Sequence, residues 1–175
     1  VDTDKNSHLK GQKSYVRKCK SRLVACGQFE NCAEIRTDSP TCDCEGLNLL
    51  ISWTVLMGNI LRCADIRNAY FNSDPVNRVQ LFKPPAGGLP GEKYCVKFLI
   101  AAVKPIYGTG DSGRRFYLTF RRKAIARGWT ECRIMRSLYA YRDQDGRILA
   151  LMAVHVDDVL WSTTEELSLI HISEP

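Results

Sequence analysis

The sequence lacks the spacing that a zinc module needs. It has 8 cysteines and 3 histidines, but no two cysteines are separated by two residues. The nearest pair is Cys42 and Cys44, and His8, His155 and His171 all lie away from it. The cysteines (19, 26, 32, 42, 44, 63, 95 and 132) are therefore expected to be reduced, partly buried thiols of an intracellular protein. A long apolar run is also missing. The stretch 47–61 is interrupted by Asn48, Ser52, Thr54, Gly58 and Asn59 and falls short of the ~20 residues a bilayer span requires, so no membrane partner is expected. Residues 1–13 form a polar leader with neither an apolar signal core nor a starting Met, and no targeting signal is visible. The chain reads as a fragment of something longer. Internal repeats and low-complexity tracts are absent too.

What is present is ordinary for one soluble globular domain: 175 residues, 45% hydrophobic and 25% charged. That composition disfavours disorder, collagen-like repeats and coiled coil. The charge is unevenly spread. Residues 97–142 hold 11 Lys/Arg against 2 Asp/Glu, and residues 1–37 hold 8 against 4, so a chain of net charge +6 is acidic in its remainder. A solvated helix face is the usual explanation for one basic run. Two basic regions around an acidic remainder suit a phosphate-rich ligand better, because each neutralised phosphate releases counterions.

Periodicity gives a mixed pattern. Residues 18–25 alternate basic and apolar side chains like a short strand ended by Gly27. From about residue 45 an apolar run of helical length predicts a largely buried helix that breaks near Gly58. Strands are predicted over 61–66, 79–82 and 94–99, with Pro84, Pro85 and a glycine-rich loop between the last two. Asp111 and Ser112 offer an N-cap to a helix that runs to about Arg127, with Gly128 as its stop. Phe116, Phe120 and Ala124 share one face of it, and Arg114, Arg115, Arg121, Arg122 and Lys123 occupy much of the rest. Strands over 138–142 and 147–156 flank a strong hairpin turn at 143–146, and a second turn at Asp157-Asp158 leads into a partner strand. Helices mixed with antiparallel hairpins make the class α+β.

Two features carry chemistry. Asp157 and Asp158 are adjacent carboxylates inside an apolar, β-prone run, and Asp65 ends an apolar strand. Burying a charge costs several kcal/mol unless it is paired or metal-bound, so the Asp157-Asp158 pair is a turn, a metal site or both. Asp65 by itself reads equally as an ordinary strand-end polar residue. Brought side by side in one sheet, the three would repel without cations between them. Oxygen-only ligands favour Mg²⁺ or Mn²⁺. Two such ions ~3.5–4 Å apart would clamp the attacking and leaving oxygens of an in-line phosphoryl transfer. That reading is polymerase-like.

Six blocks then resemble a known family in order and spacing: KSRLVACG (20–27), DSP (38–40), ADIRNAYFNSD (64–74), KPP (83–85), IYG (106–108) and HVDDV (155–159). Over residues 15–163 the chain resembles copia-type retrotransposon reverse transcriptases. The resemblance implies polymerase fingers at about 14–60 leading into a partial palm, a split βαβ (ferredoxin-like) sheet with the xVDD hairpin, all within residues 14–164. It implies an RNA-directed DNA polymerase that adds deoxynucleotides (dNTPs) to a primer 3′-hydroxyl on an RNA or DNA template, with two Mg²⁺ (or Mn²⁺) ions. Asp65, Asp157 and Asp158 match the catalytic, metal-binding carboxylates, and the Ile66 carbonyl would complete the nucleotide-bound metal site. Tyr70 stands at the position that packs under the deoxyribose, and Lys20 and Arg22 lie in the fingers strand facing the triphosphate. Arg114, Arg115, Arg121 and Arg122 are the expected nucleic-acid contacts. The parent would be a polyprotein with integrase and RNase H, in a cytoplasmic particle or the nucleus.

The departures are specific. His155 replaces the family's usual tyrosine. Where the family commonly reads leucine-tyrosine-glycine-leucine-lysine-glutamine-alanine-proline, residues 106–113 read IYGTGDSG. The family's Lys and Gln there help hold template and nucleotide, so Asp111 falls at a nucleotide-binding position. Gly110 and Asp111 remove one positive charge and place one negative charge beside the triphosphate, a repulsion worth on the order of 1–3 kcal/mol, or roughly 10–100-fold in rate. Residues 165–175 match no family block and resemble translated sequencing-adapter sequence, so His171 is not assigned as a ligand. With thumb and RNase H absent, the chain alone is expected not to extend a primer. The alternative is a decayed, inactive copy that retains only nucleic-acid binding.

Overall fold

The computed structural model describes residues 23–88 and 98–164. Lys20, Arg22, the polar leader, most of the predicted strand at 18–25, residues 94–97 of another and the tail at 165–175 lie outside the described residues.

The first helix, α1 (Cys44–Leu56), starts where the Asp43 carboxylate accepts the Gly46 N–H at 2.8 Å. It stops at Gly58, whose φ of 64° no helix tolerates. The strand β1 (Ile60–Asp65) follows, then a single 3₁₀ turn (Ala69–Asn72). Two short strands, β2 (Leu81–Phe82) and β3 (Ile100–Ala101), pair antiparallel. The helix α2 (Ser112–Ala126) is closed by Gly128 at φ 87°. Four strands complete the chain: β4 (Trp129–Glu131), β5 (Leu138–Arg142), β6 (Ile148–His155) and β7 (Asp158–Thr163).

The main sheet has five strands in the order β1-β7-β6-β5-β4, all neighbours antiparallel. β1 and β6 therefore run parallel with β7 between them. The class is α+β, as the alternation of helices and hairpins predicts. A helix covers each face. On one side Leu50 of α1, fully buried, packs with Leu138, Leu151 and Ala153. On the other, Ala124 of α2 packs with Trp129, Tyr139, Met152, Val154, Val159 and Trp161. β6 lies between both layers, which is why Ala150 to Val154 are buried without alternation. Truncating Leu50 to Ala would cost about 2–5 kcal/mol, the range for a filled core position.

Several sequence expectations shift. α1 is not largely buried: Gly46, Leu50 and Thr54 face the sheet, while Leu49, Val55 and Leu56 are exposed. One helix laid on one sheet face buries only one stripe, and no described residue covers the other side. The strand predicted over 79–82 contracts to β2, and the following one begins at Ile100. β4 is a strand that periodicity misses, because three residues are too few to show alternation. No helix among the described residues is long and apolar enough to cross a membrane.

Candidate active site

The β6–β7 hairpin positions the aspartates. β6 ends at His155 and β7 begins at Asp158, directly paired, so Val156 and Asp157 form the turn. This corrects the expectation of a turn at Asp157-Asp158 by one residue. The tight connection is made by Val156 at φ 56°, a left-handed corner that suits the strand twist. For a β-branched residue this conformation is an outlier, costing about 1–3 kcal/mol.

The register of β1 and β7 places Asp65 opposite Asp158. One step further, the Ile66 N–H donates to the Asp157 carbonyl at 2.7 Å, which pins the turn to the end of β1. Asp65 and Asp158 are exposed and Asp157 is half-buried. The burial penalty argued from sequence therefore does not apply to the pair; what applies is repulsion between like charges on adjacent strands. Among the described residues none of the three makes an ion pair with a cation. Two opposed carboxylates are oxygen donors of the kind that hard divalent cations take. No three His, Cys, Asp or Glu side chains among the described residues come together as a metal-holding group.

Tyr70, on the 3₁₀ turn just after β1, packs beside this hairpin. Its ring lies 4.6 Å from that of Tyr107 and 6.3 Å from that of Phe116, centre to centre. Burial pushes its phenol pKa up, and the negative charge of Asp157 adds to the shift. Tyr107 also accepts the Ala25 N–H through its carbonyl at 2.7 Å. Segments of three of the resembling blocks (20–27, 64–74 and 106–108) thus meet at Tyr107.

Asp111 begins α2 by position, but its carboxylate does not cap the helix. It is buried, and accepts from Arg78 Nη2 at 2.9 Å and Arg115 Nε at 2.6 Å. Arg78 also binds Glu30, whose other oxygen accepts the Gly110 N–H at 2.8 Å. Burial raises the Asp111 pKa, and the hydrogen bonds and charges of Arg78 and Arg115 more than reverse that, holding it below the ordinary 3.8. The negative charge expected to stand uncompensated near a triphosphate is instead neutralised by two guanidiniums.

The expected nucleic-acid arginines are also engaged. Arg114 pairs with Asp38, Arg115 with Asp111, Arg121 with Glu131 and Arg122 with Asp74. The Arg122–Asp74 pair is exposed on both sides and is worth little. Sequence reasoning missed Arg78, Glu30 and Glu131. Their partners lie far along the chain, except for Arg121, Tyr117 and Ser137 around Glu131, and no local pattern signals such pairing.

Residues 4–172 match the family described as Reverse transcriptase (RNA-dependent DNA polymerase). Over 158 residues the chain is 25% identical to the Retrovirus-related Pol polyprotein from transposon RE2 of Arabidopsis thaliana. The match covers 89% of this chain and 10% of that polyprotein, so the chain spans about a tenth of the relative's length. No solved structure matches it.

Proposed function

This chain belongs to the reverse transcriptase (RNA-dependent DNA polymerase) family, in its copia-type branch, and from that premise we propose that it is the fingers and part of the palm of an RNA-directed DNA polymerase. Asp65 opposite Asp158, beside a turn pinned through Asp157, is the observation that carries the reading. The parallel β1 and β6 with β7 between them agree with a split βαβ palm.

Asp65, Asp157, Asp158 and the carbonyl of Ile66 are the groups that would hold two Mg²⁺ or Mn²⁺ ions. Such ions lower the pKa of a primer 3′-hydroxyl and neutralise the charge that develops on the transferred phosphoryl group. The rest falls to the chain. The Ile66–Asp157 backbone hydrogen bond keeps the hairpin tip against the end of β1, where Asp65 stands opposite Asp158. Tyr70, wedged against Tyr107 and Phe116, offers a rigid aromatic floor on which a deoxyribose would rest. A ring fixed in this way excludes a 2′-hydroxyl by volume. Template–primer and dNTPs are the proposed partners, within a parent polyprotein that carries integrase and RNase H. Lys20 and Arg22 are proposed to face the triphosphate.

Mn²⁺ binding followed by electron paramagnetic resonance tests the site directly. Asp65→Asn and Asp158→Asn are each expected to weaken it tenfold or more, and unchanged affinity in both would remove the reading. Primer extension by the polymerase domain of the parent polyprotein should be lost in Asp157→Asn.

A second reading, a copy that binds nucleic acid without catalysis, is favoured by one observation: no three His, Cys, Asp or Glu side chains among the described residues come together as a metal-holding group. It predicts that Asp157→Asn leaves template–primer binding intact and that the parent domain extends no primer with either metal.

A further inference from the structure

An open cleft of about 390 Å³ lies along the β4 edge of the sheet, lined by Arg121, Arg133, Arg136, Trp129, Glu131 and Cys132 among others. Three guanidiniums and one carboxylate line it, and the carboxylate is turned inward. The Glu131 side chain is 6% exposed. It accepts from the Tyr117 hydroxyl at 2.9 and 3.1 Å, from the Ser137 N–H at 3.1 Å and from Arg121 Nε at 2.7 Å. Arg121 is therefore held by one nitrogen, with its remaining N–H groups unassigned among the described residues. Arg136 is steadied by a longer contact, Nη1 to the Tyr117 oxygen at 3.4 Å. Arg133 is exposed and has no ion pair or hydrogen bond among the described residues. Three guanidiniums thus share one carboxylate as lining partner, so the cleft keeps an excess of positive charge, whereas Arg114 and Arg115 each have a carboxylate of their own.

We propose that this cleft is a second contact for nucleic acid, gripping the phosphates of a polynucleotide strand through Arg121, Arg133 and Arg136. Planar guanidiniums match phosphate oxygens in bidentate geometry, and the three sit on a chain of net charge +6. The cleft is separate from the aspartates. β4 and β1 are opposite edges of a five-stranded sheet, so four strand spacings, about 19 Å, lie between them. A strand held here would be anchored away from the carboxylates, and the contact does not depend on whether those carboxylates catalyse.

The test is fluorescence anisotropy of a labelled oligothymidylate with the 175-residue chain across a salt series. In the Arg133→Ala/Arg136→Ala variant, affinity at low salt should fall about tenfold. The slope of log affinity against log salt should flatten by about 1.4, since each lost phosphate contact on a single strand removes about 0.7. Arg133→Lys/Arg136→Lys should restore most of the slope, and matching thermal melts would show that both variants fold. Arg62→Ala, at an exposed arginine of β1 on the opposite edge of the sheet, should leave the slope unchanged, which ties the effect to this cleft. An unchanged slope in the double alanine variant overturns the proposal. So does displacement by polyglutamate or inorganic phosphate at matched charge concentration, which would mark a general anion sink.

Discussion

Asp65 and Asp158 face each other across the β1–β7 ladder, two exposed carboxylates with no cationic partner among the described residues. Like charges directly opposite on neighbouring strands destabilise a sheet by about 0.2–1 kcal/mol. Asp65→Asn or Asp158→Asn should therefore raise the unfolding free energy in chelator by about that amount, while abolishing the stabilisation that added Mn²⁺ gives the parent chain. The two effects have opposite sign, which a merely structural role would not produce. Urea unfolding with EDTA and with Mn²⁺ reads both. A loss of stability in chelator would show that the pair is not strained by its own charge.

The Glu30–Arg78–Asp111–Arg115 cluster sets an acid limit. For Asp111 and Glu30, burial pushes the pKa up. Arg78 and Arg115 around Asp111, and the Gly110 N–H and Arg78 around Glu30, reverse this and leave both below their ordinary 3.8 and 4.5. Lowered folded-state values mean that the stabilisation is fully present above the unfolded pKa. It is lost as pH falls through the folded values. The chain should thus hold its stability down to about pH 4.5 and lose it progressively below. Asp111→Asn should flatten that acid limb and cost stability at neutral pH, because two guanidiniums lose their partner. Removing one member of a buried pair costs about 3–5 kcal/mol, and the lower end applies here because Arg78 and Arg115 keep 27% and 21% of their exposure. Urea unfolding of both chains from pH 3 to 7 checks the shape.

Much of this was legible from residues alone, and the failures have one physical source. The α2 face of Phe116, Phe120 and Ala124, and the β5–β6 hairpin around residues 143–146, depend on local spacing and local turn chemistry. Asp65 at the end of β1 was equally visible. Asp111 was misread because its carboxylate is claimed by Arg78, 33 residues upstream, and no periodicity carries that information. The hairpin slipped by one residue because Asp is a better turn former than Val. Pairing His155 with Asp158 nevertheless forces Val156 into the corner. The basic character of residues 97–142 was real, but its arginines meet acids from elsewhere in the chain, such as Asp38 and Asp74, and charge counts do not reveal such pairing.

The crossing of two loops at Gly27 and Gly108 should be intolerant of any side chain. A Cβ on Gly27 would overlap the Gly108 carbonyl oxygen, and a Cβ on Gly108, at φ 91°, would overlap the Ala25 carbonyl oxygen. Both obstacles are backbone and cannot swing away. Gly108→Ala should cost at least about 2 kcal/mol, combining left-handed strain with displacement of packed backbone. Gly58 is the internal control: its φ is 64° but nothing lies within 4 Å of a Cβ there. Gly58→Ala should cost only the conformational part, about 1–2 kcal/mol. If the two alanine variants unfold at the same urea concentration, the loop crossing contributes no steric constraint.

Val156 is where stability and function should separate. It holds a β-branched side chain at φ 56° in the turn beside Asp157, and the turn is kept there by the β6–β7 pairing and the Ile66–Asp157 hydrogen bond. Val156→Gly removes left-handed strain of about 1–2 kcal/mol and adds an entropic cost of about 0.5–1 kcal/mol for fixing a glycine. The net gain of up to about 1.5 kcal/mol corresponds to a melting temperature higher by up to about 3–6 °C for a chain of this size. A freer corner also lets Asp157 wander, so Mn²⁺ affinity should fall severalfold even as the melting temperature rises. Val156→Asn, which tolerates the left-handed region while keeping a Cβ, should gain less stability and lose less affinity. Calorimetry and Mn²⁺ titration of the three chains test the trade directly. If glycine lowers the melting temperature, the corner is not strained, and the hairpin holds Asp157 through its pairing alone.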